Sequence, residues 1–125
     1  MRLVRSKDTK PELVVRKLLY RLGFRFRIHA SYLPGKPDVI LTRAKLAIFV
    51  HGCFWHRHRK GCRLTRLPKS RLEYWRPKLE RNRARDTLNR RKLRRLGWRV
   101  AVIWECQISD RDWLERRLKD LAALD

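Results

Sequence analysis

Apolar positions recur every three or four residues from Val14 to Leu22, with Val14, Val15, Leu18, Leu19 and Leu22 on one line and Gly23 directly after them. That period predicts a helix with a single buried face and a glycine stop. Thr9-Lys-Pro-Glu12 supplies its start, with Thr9 as N-cap, Pro11 in the first turn and Glu12 as the reciprocal partner of a capping box. The pattern then changes. Phe24-Arg-Phe-Arg-Ile28 alternates apolar and basic, which predicts a half-buried strand. Tyr32-Leu-Pro-Gly-Lys-Pro37 carries turn chemistry. Residues 38–42 and 45–51 are almost wholly apolar strands joined through Arg43-Ala44, and such continuous apolar content predicts central positions in a sheet.

A basic loop runs to Lys69. Ser70 and Glu73 then have the spacing of a capping box and open a long helix, which Pro77 is predicted to kink, or to restart near Trp75. Leu72, Trp75, Leu79, Asn82, Asp86, Asn89, Leu93 and Leu96 share one face of it, so three polar residues interrupt an apolar stripe. Gly97 ends the helix. Residues 98–106 form a fourth apolar strand, and Ser109-Asp-Arg-Asp112 caps a last helix that buries Leu114, Leu118 and Leu121. The order α-β-β-β-α-β-α predicts an α/β fold, a mixed four-stranded sheet flanked by helices. With 125 residues and no linker, repeat or low-complexity tract, residues 1–125 are expected to form a single domain.

Charge narrows the choice of partner. There are 34 Lys plus Arg against 12 Asp plus Glu, a net charge of +22. A field of this strength repels itself in a compact fold and suits a polyanion. Arg outnumbers Lys, as bidentate phosphate and base contacts favour. The basic residues are spread along the chain rather than set on one amphipathic helix, which disfavours a membrane surface. No apolar run could span a bilayer or form a signal-peptide core, so the three cysteines are expected to be reduced or metal-bound.

The chemistry concentrates in Phe49-Val-His-Gly-Cys-Phe-Trp-His-Arg-His58, closed by Cys62. Cys53, His58 and Cys62 have zinc-ligand spacing, and Cys106 completes a structural Cys3His site if the fourth strand lies beside the third. The plainer alternative is four unrelated side chains. His51 and His56 cannot both join a closed four-ligand shell, which leaves them for acid–base work or phosphate contact. Asp38 opens a strand, where a carboxylate is often only a turn cap. With Glu12 and His51 nearby it instead gives a set able to hold Mg2+ and activate water against a phosphodiester. Asn82 and Asp86, one turn apart, either tie the long helix to the sheet or orient a histidine. Phe54 and Trp55 either pack on the core or, with Trp75, insert between base pairs.

The ordered segments residues 5–12, Leu33-Pro-Gly-Lys-Pro-Asp38, Phe49-Val-His-Gly-Cys-Phe-Trp-His56, Glu73-Tyr-Trp75, Asn82 with Arg85-Asp86, Gly97-Trp-Arg-Val100 and Trp104-Glu-Cys106 resemble the very-short-patch-repair endonucleases, the Vsr family, over nearly the whole chain. The resemblance implies a restriction-endonuclease-like core with a structural zinc site. It also implies Mg2+-dependent nicking of double-stranded DNA 5′ to the T of a T·G mismatch. By motif, Asp38 and the main-chain carbonyl of Val50 (Thr in some relatives) would hold Mg2+. Glu12, His51 and His56 would serve acid–base and water-positioning roles, with Asp86 paired to a histidine. Cys53, His58, Cys62 and Cys106 would hold Zn2+. Phe54, Trp55 and Trp75 would form an intercalating wedge, with Asn82 also at the DNA. A cytoplasmic, nucleoid-associated bacterial monomer follows, with mismatch-repair proteins as candidate partners. Two features depart from the family pattern: His58 and Cys62 stand two residues further apart than in the best-known members, and the arm preceding Arg5 is short. The rivals are a Vsr-like nicking or homing endonuclease acting on matched DNA, and a zinc-stabilised DNA-binding protein without catalysis.

Overall fold

The structure is a computed structural model that describes residues 9–53 and 71–123. The first helix, α1 (Lys10–Arg21), starts as its sequence dictates. The Thr9 hydroxyl accepts from the Glu12 backbone N–H at 3.5 Å, and proline sits in the first turn. Val15, Leu18 and Leu19 are buried along the inner face, and Gly23 leaves the helix at φ +84°, a left-handed conformation that glycine adopts without steric penalty. The Glu12 carboxylate, almost wholly buried, accepts from Arg16 at 3.1 Å one turn further along the helix.

Four strands follow: β1 (Arg27–Ile28), β2 (Val39–Leu41), β3 (Leu46–His51) and β4 (Arg99–Trp104). The sheet runs β1-β2-β3-β4, with antiparallel pairs β1–β2 and β2–β3 and a parallel pair β3–β4. A parallel pair needs a crossover connection, and α2 (Leu72–Arg95) provides its helix. Every residue of β2 and β3 is buried, matching their apolar runs and central places. The alternating segment 24–28 pairs only at its last two residues, so β1 is much shorter than predicted. Phe24 and Phe26 pack against the core without entering the ladder.

Alternate residues divide the core between the two sheet faces. Val39, Leu41, Ile48, Ala101 and Ile103 join α1 and α3 (Arg111–Ala122) on one side. On the other, Ile40, Ala47 and Phe49 meet Leu93 of α2. In α3, capped by Asp110 through Trp113 N–H, Leu114 and Leu118 are fully buried and Leu121 is half-buried. Helix α2 is a single 24-residue element with Pro77 inside it. Its N-cap is Arg71 in a left-handed conformation with no side-chain cap bond; Ser70, the predicted cap, lies outside the described residues. The predicted face is present: Leu79 and Leu93 are buried, while Leu72, Trp75, Asn82, Asp86 and Asn89 are half-buried. Leu96 departs from it at 56% exposure, where the helix ends at its C-cap.

One loop contact positions the site. Gly35 has φ +75°, and a Cβ there would stand 2.9 Å from Asn89 Cβ and 3.1 Å from Phe49 Cζ. The turn before Asp38 is thus pressed against both α2 and β3. Gly35→Ala is expected to cost about 2–4 kcal/mol, from backbone strain together with overpacking. The check is the urea unfolding midpoint; a change below about 0.5 kcal/mol would mean that the turn moves away without consequence.

Candidate active site

The first residue of the site is placed by strand pairing. Asp38 stands just before β2, and its backbone N–H donates to Ile48 O at 3.1 Å. Its Oδ2 accepts from the Val50 N–H at 2.7 Å. Asp38 therefore clamps the start of β2 to the end of β3, beside His51. Glu12 reaches the same point from the first turn of α1, at 2% exposure. The Asp38 carboxyl is pushed up to about 7, first by burial and then by the charge of Glu12 and a hydrogen bond to it; the Val50 N–H and the Arg16 guanidinium pull the other way. Two acids brought together out of water in this manner form a site that favours a cation.

His51 is 4% exposed and ends β3 opposite Trp104 of β4. Its ring meets Trp104 edge to face at 5.2 Å between centroids and is tilted against Phe49 at 5.5 Å. Those aromatic walls fix its orientation. Val50, the predicted carbonyl ligand, is buried, with its own N–H on Asp38 and His51 next in the chain. Asp38, Val50 and His51 thus lie along one end of the sheet, and Glu12 reaches Asp38 from α1.

The β3–β4 register also serves the predicted metal centre. His51 pairs with Trp104, so Cys53 and Cys106 each stand two residues beyond the same rung. Cys53 is buried, its backbone N–H bonded to Glu105 Oε1 at 3.3 Å. Cys106 is half-buried in a 3-10 turn (Glu105–Gln107) rather than at the strand end itself. His58 and Cys62, the other expected ligands, lie outside the described residues, as do His56, Phe54 and Trp55. Among the described residues, no three His, Cys, Asp or Glu side chains gather as metal ligands. The two thiols nevertheless suit a soft cation such as Zn2+. Trp75, Asn82 and Asp86 all lie half-buried on the inward face of α2, with Trp75 set edge to face on Tyr74 at 5.1 Å.

Two residues at the site are not predicted by the sequence pattern. Arg16 is bonded to Glu12 at 3.1 Å, and its Nη2 stands 3.5 Å from His29 Nε2. The guanidinium holds Glu12 in place and offsets part of the acid charge. Its signal is the four-residue Glu12-to-Arg16 spacing along the helix. His29 has no comparable signal. Its backbone N–H reaches Asp38 O at 3.3 Å and its φ is +54°, so it arrives through β1 pairing and a left-handed turn.

Comparison with known proteins adds to this geometry. The family model described as DNA mismatch endonuclease Vsr matches residues 1–62. The chain is 54% identical over 121 residues to "Type II nicking enzyme V.XorIIP" of Xanthomonas oryzae pv. oryzae, covering 97% of this chain and 88% of the relative. It is 40% identical over 118 residues to "Type II nicking enzyme V.NmeAIP" of Neisseria meningitidis, covering 94% and 83%. It is also 40% identical over 114 residues to "DNA mismatch endonuclease Vsr" of Escherichia coli, covering 91% and 72%.

Proposed function

From a chain that belongs to the DNA mismatch endonuclease Vsr family, a family of DNA endonucleases, we propose a Mg2+-dependent enzyme that nicks duplex DNA 5′ to the T of a T·G mismatch. The observation that carries this reading is the pairing of Glu12 with Asp38 beside Val50 and His51, in a chain of net charge +22. The reading includes a restriction-endonuclease-like core and a cytoplasmic, nucleoid-associated monomer. Among the described residues, no helix is long and apolar enough to cross a membrane.

Asp38, with the carbonyl of Val50, would hold Mg2+, and Glu12 stands within reach of the same site. Bound there, Mg2+ supplies charge neutralisation at the scissile phosphate and a water acidified toward neutrality. The chain's own residues do the rest. Arg16 keeps the Glu12 carboxylate aimed at Asp38. His51, held between Phe49 and Trp104, and His56 take and return protons during attack and departure, the task for which imidazole's pKa suits it. Asp86 orients a histidine from the inward face of α2, and Asn82 contacts the DNA. Cys53, His58, Cys62 and Cys106 would hold Zn2+ in a closed site that fastens β3 to the turn after β4 and takes no part in the chemistry.

Mismatch choice rests on a wedge of Phe54, Trp55 and Trp75. Unstacking a base step costs a few kcal/mol and least where pairing is already faulty. The wedge therefore enters a T·G site more cheaply than a matched one. Replacing both Phe54 and Trp55 by Ala is expected to narrow the ratio of kcat/KM on T·G and matched duplexes by about tenfold or more, roughly the effect of losing 1–2 kcal/mol of differential stacking. An unchanged ratio in a folded variant would return these rings to the core. Nicking of an intact recognition site is the second reading, raised by the Xanthomonas and Neisseria relatives, which are named as type II nicking enzymes rather than as mismatch endonucleases. A parent enzyme that cuts matched duplex as fast as T·G duplex would decide for it.

A further inference from the structure

Helix α2 concentrates the protein's charge on its exposed surface. It carries ten Lys and Arg against three acids, Glu73, Glu80 and Asp86, so most of its cations have no acid within the helix to pair with. Asp86 is on the inward face. On one flank of the helix, roughly a third of a turn round from that face, Arg81, Arg85, Lys92 and Arg95 are all exposed and follow one another at gaps of four, seven and three residues, the spacing of a single stripe. No carboxylate falls on this line. Lys78 lies near it but is turned back onto Tyr74, its Nζ 2.9 Å from the hydroxyl and 4.5 Å from the ring centre.

The plain alternative is a solvated helix surface with cations favoured at its C-terminus. The helix dipole accounts for Lys92 and Arg95 in or beside the last turn, but its influence does not reach Arg81 and Arg85. Those two are like charges at the i,i+4 spacing, which weakens an isolated helix. A polyanion converts this repulsion into attraction. From Arg81 to Arg95 the stripe runs about 21 Å at 1.5 Å per residue. Over that length one strand of B-DNA presents about six phosphates, one per 3.4 Å of axis, enough for all four side chains.

We propose that the outer stripe of α2 is a second contact surface for duplex DNA, gripping phosphates without reading sequence and holding the enzyme on matched DNA between target sites. The proposal rests on the reading of the protein as a DNA enzyme but not on its mismatch choice. Contacts of this class release counterions, so they set the salt dependence of binding. A variant with Arg81, Arg85, Lys92 and Arg95 all changed to Gln keeps helix-forming residues at exposed positions. A control removes the same number of charges from α3 through Arg111, Arg116, Arg117 and Lys119. Affinity for a fully matched duplex of about 30 base pairs is measured against salt concentration for the parent and both variants, after circular dichroism has shown each to be folded.

The α2 variant is expected to lose about three to four units from the slope of log affinity against log salt, at about 0.9 per phosphate contact, while the α3 control loses less than one. Equal slopes for parent and α2 variant, or an equal loss in the α3 control, would overturn the proposal. So would parent protein held more tightly by phosphatidylserine vesicles than by duplex. A parent that never nicks DNA yet shows the α2-specific slope change would remove the endonuclease reading and leave the stripe standing.

Discussion

Asp38→Asn is expected to lower the single-turnover nicking rate by at least about a thousandfold, the several kcal/mol of charge stabilisation that a bound Mg2+ contributes. Duplex affinity should change little, because it rests on Lys and Arg contacts to phosphate. The same substitution has an opposite effect on the metal-free fold. Folding raises the Asp38 carboxyl from 3.8 to about 7, so between these values the folded chain binds more protons than the unfolded chain. Stability then falls as pH rises across that window and is lowest above it. Asn carries no proton to lose and can still accept from the Val50 N–H. Without metal, Asp38→Asn should therefore be close to parent stability near pH 4. At pH 8 it should be more stable by roughly 3–4 kcal/mol, since each tenfold change in proton affinity is worth about 1.36 kcal/mol. Urea unfolding in chelator at both pH values measures this. A variant that nicks at the parent rate, or shows no pH-dependent gain, would reduce Asp38 to a turn residue.

The second large effect concerns zinc. Freshly purified protein is expected to hold one zinc per chain by elemental analysis. Cys106→Ser should lose it together with more than about 3 kcal/mol of stability, since structural zinc contributes folding free energy directly. The structural ground is the register of β3 with β4, which sets Cys53 and Cys106 beyond one rung. Cys53→Ser should behave alike. Zinc-free parent protein as stable as the untreated sample would remove the centre, and with it the assigned roles of His58 and Cys62.

Periodicity carried most of the architecture. The element order, the central places of β2 and β3 and the inward stripe of α2 all follow from apolar spacing, because a sheet buried on both faces leaves little choice of pattern. The polar interruption of that stripe was legible as well, and the structure sets one of its members, Asn89, against Gly35 in the turn before Asp38. What was not legible depends on contacts between segments distant in sequence. Glu12 has capping-box spacing, yet burial against Asp38 and Arg16 decides where its carboxylate points. His29 looks like the polar end of a strand until β1 pairs with β2. Length in β1 also escaped, since alternation predicts exposure and burial but not how many residues find a ladder partner.

Cleavage mapping tests the central claim most directly. A duplex bearing one T·G mismatch, labelled at each 5′ end in turn, is incubated with protein and Mg2+ beside a matched duplex of otherwise identical sequence. The expected result is a single nick immediately 5′ to the mismatched T, an uncut complementary strand, an intact matched duplex and no product in chelator. Equal nicking of the matched duplex, or no Mg2+-dependent cleavage of either, would contradict it.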